Sequence, residues 1–141
     1  MNHRNLTIRS ASGFTLMELM IVIAIVAILT MVSMPQYSSY VVRGKRAAAQ
    51  QVMLDMSGAI EMYRMDRRQF PAALGNGADE LAFTLPPEVA GSYVISYTVN
   101  NAAAPPTYLL TATPLAGSSQ ADDGVLTINN HGIKTPAHKW Q

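Results

Sequence analysis

The hydrophobic and polar positions divide the chain into three regions with different periodicities. Residues 14–34 form a run of 21 residues that is apolar except at Thr15, Glu18, Thr30 and Ser33. As a helix this run would be about 31 Å long, which matches a hydrocarbon core of about 30 Å. The apolar run (residues 14–34) therefore predicts a helix that is able to cross a membrane.

A second, amphipathic helical pattern follows Pro35, where a continuous helix would kink or loosen. Apolar residues then recur at steps of three, four and seven, as they do on one face of a helix. These are Val42, Ala49, Met53, Met56, Ile60 and Tyr63. The polar side chains Arg46, Gln50, Asp55, Arg64 and Arg67 fall largely away from this stripe. Pro71 disfavours helical geometry at Phe70, so the predicted helix covers residues 35–70.

The two helical patterns together would be about 85 Å long if continuous, which is too long for one small globule. The first half must therefore bury its apolar surface in lipid or in other copies of the chain. Residues 71–91 are rich in Gly and Pro and predict a loop. Alternating runs at 92–99, 107–114 and 125–129 predict strands, and Gly132 supplies the positive φ of a hairpin leading to 133–135. The predicted fold class is α+β, a long N-terminal helix packed on an antiparallel sheet of three or four strands within residues 92–141.

Charge is distributed unevenly along the chain. Arg4 and Arg9 precede the apolar run, and without them eight basic residues face nine acidic residues, a net charge of −1. This near-neutral remainder argues against a general nucleic-acid binder. The basic stretches at 43–46 and 64–68 permit weak phosphate contact, but interspersed acidic residues favour a solvated helix face. The chain has no cysteine, which excludes disulfides and thiolate metal sites.

The apolar run also admits two simpler interpretations. A secretory signal peptide is disfavoured because the run is too long, contains an acid and ends without a small-x-small cleavage site. An ordinary signal anchor remains open. Basic residues flank both ends of the run, so the positive-inside rule leaves the topology open.

The junction before the apolar run is more specific. Gly13 precedes the aromatic Phe14, and Glu18 lies one helical turn further on, inside the apolar run. An acid in hydrocarbon is unfavourable and usually functional. The segment GFTLMELMIVIAIVAIL resembles the class III leader of type IV prepilins. The resemblance implies that a prepilin peptidase cuts between Gly13 and Phe14, releases residues 1–13 and methylates the new amino terminus of Phe14.

The resemblance also implies a role for Glu18, partners and a location. Glu18 would neutralise the Phe14 ammonium of a neighbouring subunit in a helical filament, because an unpaired buried charge is costly and the pair sets the register. The partners would be other pilin subunits, the peptidase, the inner membrane, and the pilus assembly platform with its secretin. The head, residues 35–141, would be periplasmic before assembly and extracellular in the pilus afterwards.

The resemblance extends over nearly all of residues 13–140 and is strongest to PilE-type minor pilins, in the segments YVVRGKRAAAQ, YLLTATP and GVLTINNHGIKTP. In that group a disulfide closes the segment before Trp140, and its cysteines would fall at Asp123 and Lys139. We hypothesise that Asp123 and Lys139 approach each other and partly replace the missing disulfide. The alternative is two unrelated surface charges.

Other chemistry finds less support in the sequence. An oxygen cluster at Asp122, Asp123 and residues 129–131 matches no calcium loop and fits turn chemistry instead. His131 and His138 lack the further ligands that zinc requires, and no catalytic constellation or cofactor motif is present. The function predicted is a structural, non-enzymatic subunit of a type IV pilus, in adhesion, twitching motility or DNA uptake. The alternatives are a pseudopilin of a type II secretion system and a pilus-tip module that binds DNA or a surface.

Overall fold

The computed structural model describes residues 13–75, 77 and 80–140. Arg4 and Arg9, with most of the predicted leader, lie outside the described residues. The chain divides into two compact units between Tyr37 and Ser38, so the second unit begins three residues after the predicted start of the head at residue 35, and from here on the head means residues 38–141. The elements are α1 (Leu16–Arg67), β1 (Ala73–Leu74), β2 (Glu80–Leu81), α2 (Pro87–Ala90), β3 (Tyr93–Asn100), β4 (Thr107–Pro114), β5 (Leu126–Asn129), β6 (Lys134–Thr135) and a 3-10 helix (Ala137–Lys139).

Helix α1 contains both predicted helical patterns, and its residues include Pro35. It ends at Arg67, three residues before the predicted end at Phe70. Arg68 adopts a left-handed backbone conformation with a φ of 59°, and its N–H donates to the carbonyl of Arg64 at 2.7 Å. A left-handed residue directly after the last helical turn closes a helix. The helix therefore ends at Arg67 and not at Phe70, the residue at which Pro71 disfavours helical geometry.

Residues 71–91 carry more structure than the predicted loop. Strands β1 and β2 form a parallel pair, with Ala73 opposite Glu80 and Leu74 opposite Leu81. Helix α2 begins at Pro87, in the first helical turn, where a missing N–H is tolerated. The prediction of a loop throughout 71–91 was therefore wrong at β1, β2 and α2. A strand of two residues is too short to show the alternation of apolar and polar residues from which strands are predicted.

The main sheet is antiparallel throughout, in the order β3-β4-β5-β6. This confirms the predicted fold class at the upper limit of four strands. The β5–β6 hairpin turns at Gly132, whose φ is 70°. Asn129 stabilises the turn, because its Oδ1 accepts the N–H groups of His131 and Ile133, each at 3.0 Å.

The head has one hydrophobic core between α1 and the inner face of the main sheet. Alternate residues of β4 and β5 point inward, and Leu110, Ala112 and Leu126 are fully buried. From α1 the core takes Ala49, Val52, Met53, Met56 and Ile60. Most of the predicted apolar stripe is therefore confirmed as core.

One position of α1 differs from the stripe prediction, because Gln50, predicted on the polar face, is only 8% exposed. Met62 and Met65, which lie outside the predicted stripe, are 72% and 82% exposed within one chain. The stripe stops contributing to the core after Ile60.

The apolar part of α1 has no partner within the chain. Every described residue from Gly13 to Tyr40 is exposed. The most apolar 18-residue window of α1 has a mean hydropathy of 2.6 and no buried residue. By length and composition this helix can cross a membrane, and its exposure separates it from the core helix of a soluble protein.

Candidate functional site

The first described residues form the candidate processing junction. Gly13, Phe14 and Thr15 precede α1 and have no regular secondary structure. Phe14 is 84% exposed, and a Cβ built on Gly13 would meet nothing within 4 Å. Packing against the residues that the structure describes therefore sets no requirement for glycine at position 13.

Glu18 forms a capping box at the start of α1. Its Oε2 accepts hydrogen bonds from the N–H of Thr15 at 2.9 Å and from Thr15 Oγ1 at 3.0 Å. The N–H of Glu18 donates in return to Thr15 Oγ1 at 3.2 Å. Such reciprocal bonds satisfy donors that a helix leaves unpaired at its N-terminus. Sequence reasoning missed this role, although the signal was present as Thr-x-x-Glu before an apolar run.

In the head, Asp123 and Lys139 lie near each other. Lys139 Nζ is 3.7 Å from Asp123 Oδ1, and the Asp123 side chain is 1% exposed. Two unrelated surface charges do not describe this arrangement, because Asp123 is buried.

Arg46 of α1 makes closer contacts with the same carboxylate. Its Nε lies 2.9 Å from Oδ1 and 3.0 Å from Oδ2 of Asp123, and its Nη2 also donates to Oδ1. The Tyr93 hydroxyl, at the start of β3, donates to Oδ2. Charge-assisted bonds of this kind are among the stronger ones in proteins. Sequence reasoning placed Arg46 on the solvent face, and no local signal marks a partner 77 residues away.

The environment shifts the pKa values of these groups in a consistent way. Burial raises the pKa of Asp123, but hydrogen bonds from Arg46 and Tyr93 and the charges of Arg46 and Lys139 outweigh it, and the pKa is lowered. The pKa of Arg46 is raised, chiefly by its hydrogen bond to Asp123. Burial and the bond to Asp123 raise the pKa of Tyr93. The site therefore favours ionised Asp123 and Arg46 and a neutral tyrosine.

Amide side chains extend this polar cluster onto α1. Gln120 is fully buried; its Nε2 donates to the Val42 carbonyl at 3.3 Å, and its Oε1 lies 3.1 Å from the Tyr93 hydroxyl oxygen. Gln50 Nε2 donates to the Lys139 carbonyl at 2.6 Å, which explains its unexpected burial. Residues 118–123 and the C-terminal turn are thus attached to α1 through polar groups.

The basic side chains of the head differ in their partners. Arg64 contacts Glu61 at 3.3 Å, as Arg46 and Lys139 contact Asp123. Two lysines instead contact neutral groups. Lys45 Nζ donates to Ser119 Oγ at 2.9 Å, and Lys134 Nζ lies 5.4 Å from the centroid of the Trp140 ring.

The oxygen cluster considered for calcium takes part in other contacts. Both Asp123 oxygens accept from Arg46, and Asn129 Oδ1 holds the β5–β6 turn. Within residues 13–75, 77 and 80–140, no group of three or more His, Asp or Glu side chains is arranged to hold a metal ion.

Two family patterns match the chain, and together they cover most of it. Residues 8–34 match the prokaryotic N-terminal methylation motif. Residues 35–127 match the family described as type IV minor pilin ComP, DNA uptake sequence receptor. The boundary between the two matches falls at Pro35, next to the division between the compact units.

Individual proteins give the same picture. The chain is 39% identical over 84 residues to the fimbrial protein EcpC of Eikenella corrodens, covering 60% of this chain and 54% of that protein. It is 35% identical over 89 residues to the type IV major pilin protein PilE1 of Neisseria gonorrhoeae, covering 63% and 52%. The chain thus spans about half the length of these curated relatives.

A solved structure shares the fold. A type IV pilin from Shewanella oneidensis aligns with a TM-score of 0.51 and 24% identity, over 68% of this chain and 92% of that chain. At this identity the likeness supports the architecture, a long N-terminal helix packed on an antiparallel sheet.

Proposed function

This chain belongs to the family of the type IV minor pilin ComP, and from that premise we propose that it is a structural subunit of a type IV pilus. The observation that carries the proposal is the apolar run, which is exposed along its whole described length in the single chain. Burying that surface is strongly favourable, and lipid or other copies of the chain would cover it. A subunit that moves from the inner membrane into a filament meets both environments in turn.

Processing supplies the first step of the proposed function. A prepilin peptidase cuts between Gly13 and Phe14, removes the leader and methylates the new amino terminus. The lack of a packing requirement at Gly13 supports recognition by a partner as the reason for glycine there. The junction lies outside α1, in residues without regular secondary structure, so no helix has to unwind before cleavage.

Glu18 then acts in assembly. Cleavage creates an ammonium at Phe14, and the carboxylate of Glu18 neutralises the ammonium of a neighbouring subunit as the subunit enters the filament. An unpaired charge in an apolar filament core is strongly unfavourable, so the pair selects one register. The assembly platform and secretin provide the route to the extracellular pilus.

The capping box allows the charge and the hydrogen bonds of Glu18 to be tested separately. Glutamine can also occupy this position of a capping box, so Glu18→Gln retains a cap and removes the charge. Thr15→Val removes the capping hydroxyl and retains the charge. We expect Glu18→Gln to insert in the membrane normally but to disappear from sheared pili, and Thr15→Val to be incorporated. Intact-mass analysis of the pili measures both, and reports whether the chain starts at methylated Phe14.

Two outcomes would contradict this proposal. If the Glu18→Gln variant is present in pili at the wild-type level, charge pairing does not drive assembly. If the chain in pili retains its first thirteen residues, the processing step is wrong.

DNA binding by the head is a second proposed function. The matched family is described as a DNA uptake sequence receptor, which favours DNA binding. The near-neutral net charge of the chain does not favour it. Lys134 and Lys45 contact neutral groups, and neither is in an ion pair with a carboxylate of residues 13–75, 77 and 80–140. Lys134 lies beside Trp140, a partly exposed indole, and a cation next to an aromatic ring suits a phosphate–sugar backbone.

Salt dependence tests this second function. We expect the full chain in detergent micelles to bind duplex DNA with an affinity that falls as salt rises. Lys134→Gln should weaken binding and reduce the slope of log K against log salt by about one. Arg64→Gln is the matched control, because Glu61 already pairs with Arg64. No binding at low salt, or equal effects of both variants, would contradict the proposal.

A further inference from the structure

One region of the head is attached to the rest mainly through polar contacts. The clasp region (residues 115–124 and 137–140) contributes two buried side chains, Gln120 and Asp123, and both are polar, while its Trp140 is partly buried against the hydrophobic core. The hydrophobic core is built from α1, β3, β4, β5, Phe70 and Val89. Regions with few buried apolar contacts open at low free energy. The polar contacts of the clasp region are therefore a large part of what holds it in place.

Asp123 is the point on which those contacts converge. Arg46 reaches it from α1, Tyr93 from β3 and Lys139 from the 3-10 helix. Arg46 Nη2 and Lys139 Nζ approach the same oxygen, Oδ1. One carboxylate therefore links a helix, a strand and the C-terminal turn, and separates two cations that would otherwise repel each other.

We propose that Asp123 is a clasp whose negative charge holds the clasp region against α1 and β3. When that charge is removed, the clasp region opens as a local unit while the main sheet remains folded. The clasp is a property of the head alone and does not depend on the proposed DNA binding.

The direction of the pH response follows from the groups that face Asp123. These are Arg46, Tyr93 and Lys139 on the packed elements, with Asp122 exposed beside it on the same loop. Because the pKa of Asp123 is lowered in the folded chain, its contribution is complete above the unfolded pKa of about 4. It is lost as the pH falls through the lower folded value. At neutral pH the clasp is closed.

Hydrogen exchange of the full chain in detergent micelles at pH 7 tests the clasp. Asp123→Asn preserves the shape of the side chain and removes the charge, and Asp122→Asn removes an adjacent charge that is exposed. We expect Asp123→Asn to accelerate exchange in the clasp region by about 10- to 100-fold, since bonds to charged groups are the stronger ones. Amides of β4 should change little, and Asp122→Asn should behave as the wild type.

Fluorescence of Trp140, the single tryptophan of the chain, gives a second measurement. Its indole Nε1 donates to the Thr135 carbonyl at 3.3 Å, and Lys134 lies over its ring. On acidification of the wild type we expect this emission to change at a higher pH than the far-UV circular dichroism. Coincident transitions would overturn the proposal. Equal exchange in the two variants, or equal acceleration in β4 and the clasp region, would overturn it as well.

Discussion

Replacing Arg46 by glutamine is expected to destabilise the head much more than the same change at Lys139. Both cations contact Asp123, whose side chain is 1% exposed, and their own exposures are similar, 22% and 19%. They differ in geometry, because Arg46 donates hydrogen bonds to both oxygens whereas Lys139 is 3.7 Å from one. Contact geometry, rather than burial, therefore separates the two residues.

The magnitudes follow from this difference. Removing one partner of a fully buried ion pair costs about 3–5 kcal/mol. Arg46 is partly solvated, and Tyr93 still donates to the carboxylate, so we expect about 2–3 kcal/mol for Arg46→Gln. A pair without a close hydrogen bond behaves as a surface pair, and Lys139→Gln should cost about 0–1 kcal/mol. A native disulfide in a small domain contributes about 2–5 kcal/mol, so only the Arg46 contact is of comparable size.

Urea unfolding with two double-mutant cycles measures both interactions. Each cycle combines Asp123→Asn with one of the two cation variants and isolates the coupling energy of that pair. With a slope of about 1–3 kcal/mol per molar urea, a difference of about 2 kcal/mol shifts the midpoint by about 1 M. A Lys139 coupling equal to or larger than that of Arg46 would refute the reasoning, and would restore the original hypothesis that Lys139 replaces the disulfide.

Three further predictions concern the head. Leu110→Ala should cost about 2–5 kcal/mol in urea unfolding because Leu110 is fully buried, whereas Leu109→Ala, at a 40% exposed position of the same strand, should cost less than about 1 kcal/mol. Gly124→Ala should destabilise the head by about 1–2 kcal/mol in the same assay, since its φ is 78° and a Cβ there would lie 3.2 Å from Lys139 Nζ; Gly58→Ala, in open space on α1, should not. Stability should fall below about pH 4 as Asp123 is protonated, and above about pH 10, because burial raises the pKa values of Tyr93, Tyr97 and Tyr108; a pH titration of the urea midpoint that stays flat in either range would contradict this.

The parts of the fold that the sequence predicted correctly are those with local periodicity. The apolar stripe from Ala49 to Ile60 repeats with the helical period, and β4 alternates inward and outward side chains. Asn130-His131-Gly132 fits the turn that joins β5 and β6. In these segments the burial of each residue follows from its neighbours along the chain, so no tertiary information was needed.

The prediction was incomplete where the partner is distant in the chain. Asp123 was paired with Lys139, but its closest contacts come from Arg46, 77 residues away, and from Tyr93. Gln50 was predicted to face solvent because its partner, the Lys139 carbonyl, is a backbone group. Every residue has such a group, so the sequence does not indicate which one is the partner. Polar groups that are buried through tertiary contacts follow no periodicity, which is why they were missed.

In the apolar run the sequence and the structure of one chain agree, and neither shows what covers the apolar surface or neutralises its acid. Residues 14–34 are exposed in the described part of the chain, yet the carboxylate of Glu18 is satisfied locally by Thr15. The apolar surface therefore needs an environment, whereas the acid already has hydrogen bonds and has no counter-charge among the described residues. The hydrocarbon of a lipid bilayer would cover the apolar surface but carries no charge to neutralise the acid. Under the proposed function a neighbouring processed copy would do both, because its apolar run would cover the surface and its Phe14 ammonium would supply the charge, and this favours the filament as the final environment of the helix.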